Sequence, residues 1–152
     1  MDLSDKKYMA LALTEAKKAG QLGEVPIGAI LVSEKGAILS ATHNRTVDLV
    51  DPTAHAEILA LREAALKINN YRLLNTTLYV TVEPCIMCMG AIVHARVSKV
   101  VFGTADPKWG AAGSMYNFAE DNRLNHRVAI TKGICEQECR SLIQEFFQAK
   151  RA

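Results

Sequence analysis

The apolar positions along the chain change period several times, and each change marks an element. Tyr8, Leu11, Ala12 and Ala16 recur at helical spacing, which predicts a helix from about Ser4 to Leu22 with Ser4 as its N-cap. Pro26 to Val32 is a short apolar run, Lys35-Gly36 a turn, and Ala37 to Ser40 a second short run, the pattern of a β-hairpin. Asp51-Pro52-Thr53 opens a second helix reaching about Lys67, with Ile58, Leu59, Leu61, Ala65 and Leu66 as its apolar positions. Leu78 to Val82 reads as a buried strand. Pro84 suits a first helical turn, so a third helix runs from there to about Ala95. Lys99 to Gly103 is the next strand. A long loop, Thr104 to Ser114, a short helical piece and a last strand, Arg127 to Thr131, come after it. The final helix spans about Cys135 to Gln148.

Strands alternating with helices after a hairpin imply an α/β fold: a three-layer αβα sandwich around a central mixed five-stranded sheet. The strand-helix-strand units should make parallel pairs with right-handed crossovers. Ligands of open α/β sheets collect beyond the carboxyl ends of strands. The third helix starts just past the strand ending at Val82, so the chemistry is expected there. No repeat, linker or low-complexity segment divides the chain, and residues 1–152 read as a single domain.

Composition narrows the class. With 49% apolar, 22% charged and 6% aromatic residues in 152, the chain is ordinary globular protein, long enough for a core without disulfides. A net charge of +2 does not announce nucleic-acid binding. Phe146-Phe147 followed by Lys150 and Arg151 suits RNA, and suits equally a helix end whose dipole favours cations. No apolar run is long enough to span a membrane, and no basic-then-apolar leader opens the chain. A cytoplasmic location is expected, where the four cysteines are thiols, ligands or nucleophiles.

The chemistry concentrates in two short elements. His55-Ala56-Glu57 lies at the start of the second helix, and Pro84-Cys85-Ile86-Met87-Cys88 at the start of the third. Thiols three apart on a helix share a face, and the helix N-terminus favours thiolates, which makes a half-site for zinc. Taken alone, the pair also reads as two packed thiols or a redox motif. Cys135 and Cys139, four apart on an amphipathic helix, look like core residues rather than a second half-site. His55 is then the third ligand. Three protein ligands leave a position for water, the pattern of a catalytic rather than a structural zinc. Glu57, two residues from a ligand, would lie beside that water and carry its protons. On its own, Glu57 is a first-turn charge favoured by the dipole. Together, H-x-E and P-C-x-x-C form the signature of zinc-dependent nucleobase deaminases.

His43, His94 and His126 have no ligand-like spacing to the cysteines and read as structural or substrate-contact residues. Asn44 could read a base edge with its carboxamide, although by itself it is a turn residue. A deaminase of free guanine or cytosine would share the zinc signature. A zinc-stapled RNA-binding module is the non-enzyme alternative, and three ligands beside a carboxylate make a poor closed site for it.

Over nearly its whole length, from Glu24-Val25-Pro26 to Phe146-Phe147, the chain resembles the bacterial tRNA-specific adenosine deaminases. Besides the two zinc elements, the likeness is carried by Tyr71-Arg72-Leu73, Leu78 to Thr81, Val101-Phe102-Gly103, Gly110 to Ser114 and Asn125-His126-Arg127. The loop and the Asn-His-Arg element favour these enzymes over guanine and cytosine deaminases. The resemblance implies a cytidine deaminase-like fold and one Zn2+ per subunit, held by His55, Cys85 and Cys88, with Glu57 as proton shuttle. It also implies that Asn44 hydrogen-bonds the target nucleotide and Ile27 packs on the inserted base. The backbone near Ala56 and the Glu83-to-Cys85 turn would line the pocket. Asp106, Lys108 and the C-terminal helix with Phe147 would meet flanking nucleotides. The implied protein is a homodimer whose subunits both bind a tRNA anticodon stem-loop, converting wobble adenosine to inosine. Two positions depart from the family: His43 stands where a tryptophan is often found, and Trp109 replaces a smaller loop residue.

Overall fold

In the computed structural model, which describes residues 3–151, the two-residue alternation of the strands sorts side chains onto two faces of one sheet. The elements are α1 (Leu3–Gln21), β1 (Gly28–Val32), β2 (Ile38–His43), α2 (Ala56–Ile68), β3 (Thr77–Val82), α3 (Ile86–Ala95), β4 (Lys99–Thr104), β5 (Ala129–Lys132) and α4 (Glu136–Arg151). The strands lie in the order β2-β1-β3-β4-β5. β1 is antiparallel to both β2 and β3, whereas β3, β4 and β5 run parallel. The five-stranded mixed sheet with helices on both faces is therefore as the sequence pattern implies.

Ala29 and Leu31 of β1, Leu78 and Val80 of β3, and Val100 and Phe102 of β4 point to the face covered by α2 and α3. Their strand neighbours Ile30, Val32, Tyr79 and Val101 point to the other face, against α1 and α4. Strands covered on both sides read as continuous apolar runs, which is why β1, β3 and β4 lack polar alternation. Each Val, Leu, Ile or Phe side chain so buried contributes about 1.5–3 kcal/mol.

The helices come close because their inner residues are small: Ala12 and Ala16 of α1, and Ala56, Ala60 and Ala64 of α2, are fully buried. At Gly28 the backbones of α1 and β1 meet. A Cβ there would overlap the Ala12 carbonyl oxygen and sit 2.6 Å from the Ala16 nitrogen. Backbone cannot yield as a flexible side chain can, so Gly28→Ala should cost about 1–3 kcal/mol or more by overpacking. The urea midpoint measures it, and an unchanged midpoint would refute the close approach.

Several boundaries differ from the sequence pattern. Ser4 lies inside α1 rather than at its cap. α2 starts at Ala56, because Asp51 Oδ1 accepts from the Thr53 N–H at 2.9 Å and its hydroxyl at 2.8 Å, holding 51–53 as a separate turn. Pro84 precedes the cap of α3 instead of sitting in its first turn. The strand expected at Arg127–Thr131 is Ala129–Lys132. Cys135, in the left-handed region at φ 54°, stands just ahead of α4 rather than on it, half-buried against the same core that buries Cys139. The short helical piece expected before β5 is absent among the described residues. Residues 105–128 form turns with isolated bridges such as Ala112 to Asn117. Between Ser114 and Arg127, Asn117, Asp121, Asn122 and Asn125 favour turns over helix, and Asp121 Oδ1 accepts from the Arg123 N–H at 2.9 Å in such a turn.

Candidate active site

β3 ends at Val82 and is parallel to β4, so both deliver their carboxyl ends to the same edge of the sheet. There the N-termini of α2 and α3 converge. His55 is the N-cap of α2 and Cys85 the N-cap of α3, both in extended backbone, and neither side chain makes a cap hydrogen bond. Cap side chains ordinarily satisfy the first free N–H groups. Here they are diverted toward each other, and for α2 a residue from β2's end takes over: Asn44 Oδ1 accepts from the Ala56 N–H at 2.7 Å.

His55 Nδ1 lies 3.6 Å from Cys85 Sγ and 3.5 Å from Cys88 Sγ. Tetrahedral zinc, with sulfur at about 2.3 Å and nitrogen at about 2.0–2.1 Å, sets such ligand atoms about 3.6 Å apart. The two nitrogen–sulfur distances therefore match one zinc ion, and the three ligand atoms lie within 4.8 Å of one another. The electrostatics agree. A hydrogen bond from Cys88, helped by His55, holds the Cys85 thiol down at about 4. The same bond, with burial, pushes Cys88 far up, and the Cys85 contact raises His55.

Glu57, in the first turn of α2, is 3% exposed. Among the described residues its Oε1 has no hydrogen-bond partner. Burial pushes its carboxyl up to about 7, against the opposing pull of the backbone and His55. A buried carboxylate oxygen without a partner is costly unless a ligand uses it. Glu57, His55 and Cys85 share a cleft of about 390 Å³ with Ile27, Asp106 and Trp109.

The pattern of the cytidine and deoxycytidylate deaminase zinc-binding region matches residues 3–104. A tRNA-specific adenosine deaminase of Haemophilus influenzae is 50% identical over 97% of this chain and 85% of its own length. Another, from Bacillus subtilis, is 46% identical over 97% of this chain and 91% of its own. The chain belongs to the tRNA-specific adenosine deaminase family. A solved structure from work on A-to-I editing by tRNA:A34 deaminases at the wobble position superposes with a TM-score of 0.86. It is 42% identical and covers 90% of this chain and 98% of its own. The deaminase thus has the cytidine deaminase-like fold, and His55, Cys85 and Cys88 are placed to bind one metal ion in its zinc-binding region.

Of the other residues singled out in the sequence, Ile27 and Asp106 line the cleft. Lys108 and Phe147 line an adjoining groove of about 820 Å³, which shares Ile27, Val82 and Asp106 with the cleft. Asn44 and Ala56 are buried and bonded to each other, and neither is in the cleft's lining. His43 bonds the neighbouring Asn44 carbonyl oxygen at 3.0 Å, His126 the Val97 carbonyl oxygen at 2.7 Å, and His94 is exposed.

The Glu83-to-Cys85 turn borders the cleft through Glu83 and Cys85, and two buried acids, Glu24 and Glu83, also hold loops in a way the sequence did not show. Glu24, 1% exposed, accepts from the backbone N–H groups of Val47 and Asp48 at 3.1 and 2.8 Å and so pins the loop after Asn44. Glu83 does the same for the loop beyond β4. An acid within an apolar stretch, Thr81-Val82-Glu83-Pro84, was the one available signal.

Proposed function

We propose that this chain deaminates adenosine to inosine, by hydrolysis, at the wobble position of a tRNA anticodon stem-loop, with Glu57 as the proton carrier. The observation that carries the reading is the buried, unpartnered Glu57 Oε1 in one cleft with the His55–Cys85–Cys88 ligand set. The zinc, when bound, activates a water as a Lewis acid. Glu57 would take one proton of the water as its oxygen adds to C6 and pass it to the ring nitrogen; it would then take the second from the new C6 hydroxyl and give it to the amine as the C6–N bond breaks, so that adenosine and water become inosine and ammonia. A carboxyl raised to about 7 is suited to both taking and giving a proton near neutral pH.

The target base must leave its stack to reach the cleft, and an anticodon loop already exposes it. The adjoining groove supports an RNA strand: Lys108, Arg140 and Arg151 supply cations and Phe147, 43% exposed, an aromatic surface. In this reading Asn44 bonds the target nucleotide through its amide group and Ile27 packs on the base. Ala56 supports the pocket from behind, and Asp106, Lys108 and Phe147 meet flanking nucleotides. The reading extends to a single domain over residues 1–152 and a homodimer, supported by the exposed Leu66, Tyr71 and Leu74. A tRNA substrate makes the cytoplasm its location, and no described helix is long and apolar enough to cross a membrane.

Zinc-loaded protein incubated with a stem-loop bearing a wobble adenosine should produce inosine in the RNA, with free adenosine, guanine and cytosine left unchanged. Deamination of a free base in place of the RNA would keep the zinc chemistry and overturn the substrate.

A further inference from the structure

Glu83 directly precedes the Pro84-Cys85 turn and is 3% exposed. Its Oε1 accepts from the Asp106 N–H at 3.0 Å and from the Ser114 hydroxyl. Oε2 accepts from the N–H groups of Ala112 at 2.9 Å and Ser114 at 3.1 Å. One carboxylate thus gathers donors from both ends of the segment 106–114. Gly110 completes the fit, since a methyl group there would overlap the Glu83 carboxyl. The segment is also tied to the zinc turn, because the Ala111 N–H donates to the Pro84 carbonyl oxygen at 2.9 Å. Inside it, Asp106 Oδ1 accepts from the Lys108 and Trp109 N–H groups at 3.1 and 3.3 Å. Asp106 and Trp109 line the cleft, and Lys108 lines the groove beside it.

We propose that Glu83 is a positioning residue for deamination: its carboxylate clamps residues 106–114 as one wall of the substrate cleft. The proposal rests on the functional reading above. Charge-assisted bonds to backbone N–H groups are the stronger kind, and the partners would otherwise be donors left unpaired close to the metal turn. A wall held this way presents Asp106, Lys108 and Trp109 to an incoming nucleotide at little ordering cost on binding. The clamp therefore acts on substrate capture rather than on proton transfer.

The test is Glu83→Gln, which keeps shape and one acceptor oxygen but turns an NH2 group toward two of the donors. Ser114→Ala, which removes the hydroxyl bond alone, is the milder companion. Both variants should bind one zinc per chain. In Glu83→Gln the KM for the anticodon stem-loop should rise about tenfold or more, with kcat within about threefold of wild type. Amide hydrogen exchange at Ala112 and Ser114 should quicken, and Ser114→Ala should move KM in the same direction by less. A lowered melting temperature with unchanged KM and unchanged exchange would make Glu83 a fold-stabilising acid only and overturn the proposal. So would loss of zinc, or of kcat alone. If wild-type protein makes no inosine in the stem-loop, the functional reading fails, and the exchange measurement still decides whether the clamp exists.

Discussion

Glu57→Gln should keep its zinc and its affinity for the stem-loop while losing deamination by about 10²–10⁴-fold, the usual contribution of a positioned general acid–base. Glutamine matches glutamate in shape, so the cleft around His55 and Cys85 keeps its walls. What disappears is the ability to take a proton from water and return it to the ring and the leaving amine. Because Oε1 is buried without a partner among the described residues, the wild-type carboxylate is itself a destabilising group. The variant should therefore melt at the same temperature as wild type or higher. Single-turnover inosine formation, read beside metal content and RNA binding, separates these effects. Near-normal turnover by zinc-loaded Glu57→Gln protein would remove Glu57 from the mechanism.

Loss of a ligand should be as severe by a different route. Cys88 is fully buried and contributes one of two thiols to the site. Cys88→Ala leaves His55 and Cys85, one short of the three protein ligands a catalytic zinc takes, and should abolish stoichiometric zinc binding together with activity. Zinc binds the folded site and stabilises it, so a chelator should lower the melting temperature of wild type. The same chelator should leave Cys88→Ala unmoved. Zinc affinity should also depend on pH with a definite sign. The bond between the two thiols draws Cys85 down and, with burial, pushes Cys88 up, so the pair shares a proton at neutral pH. Binding must displace that proton, so affinity falls by about one decade per pH unit as pH drops. The slope steepens where His55, raised by its Cys85 contact, takes up its own proton. Zinc titrations between neutral and mildly acidic pH would show it, and a flat profile would contradict the assigned protonation.

Much of this protein was legible before the structure. The unbroken apolar runs Ile30-Leu31-Val32 and Leu78-Tyr79-Val80 marked strands, and the structure buries both their faces because successive side chains of a strand point to opposite sides. The ligand set was legible because each half is local: His55 and Glu57 share a helix start, and Cys85 and Cys88 share another. Residue identity carries this chemistry, since thiol, imidazole and carboxylate cannot be exchanged for other groups.

Tertiary structure alone decided the rest. That His55 and Cys85 are both N-caps with diverted side chains depends on two helices from separate parts of the chain meeting at one sheet edge. The segment 105–128 has no periodic pattern, so its turns were not predictable as elements. The loop-holding bonds of Glu24 and Glu83 were unreadable for a more general reason. Their partners are backbone N–H groups 23 to 31 positions away. Every residue but proline carries the same N–H group, so a sequence holds no mark of which ones an acid will reach until the chain has folded around it.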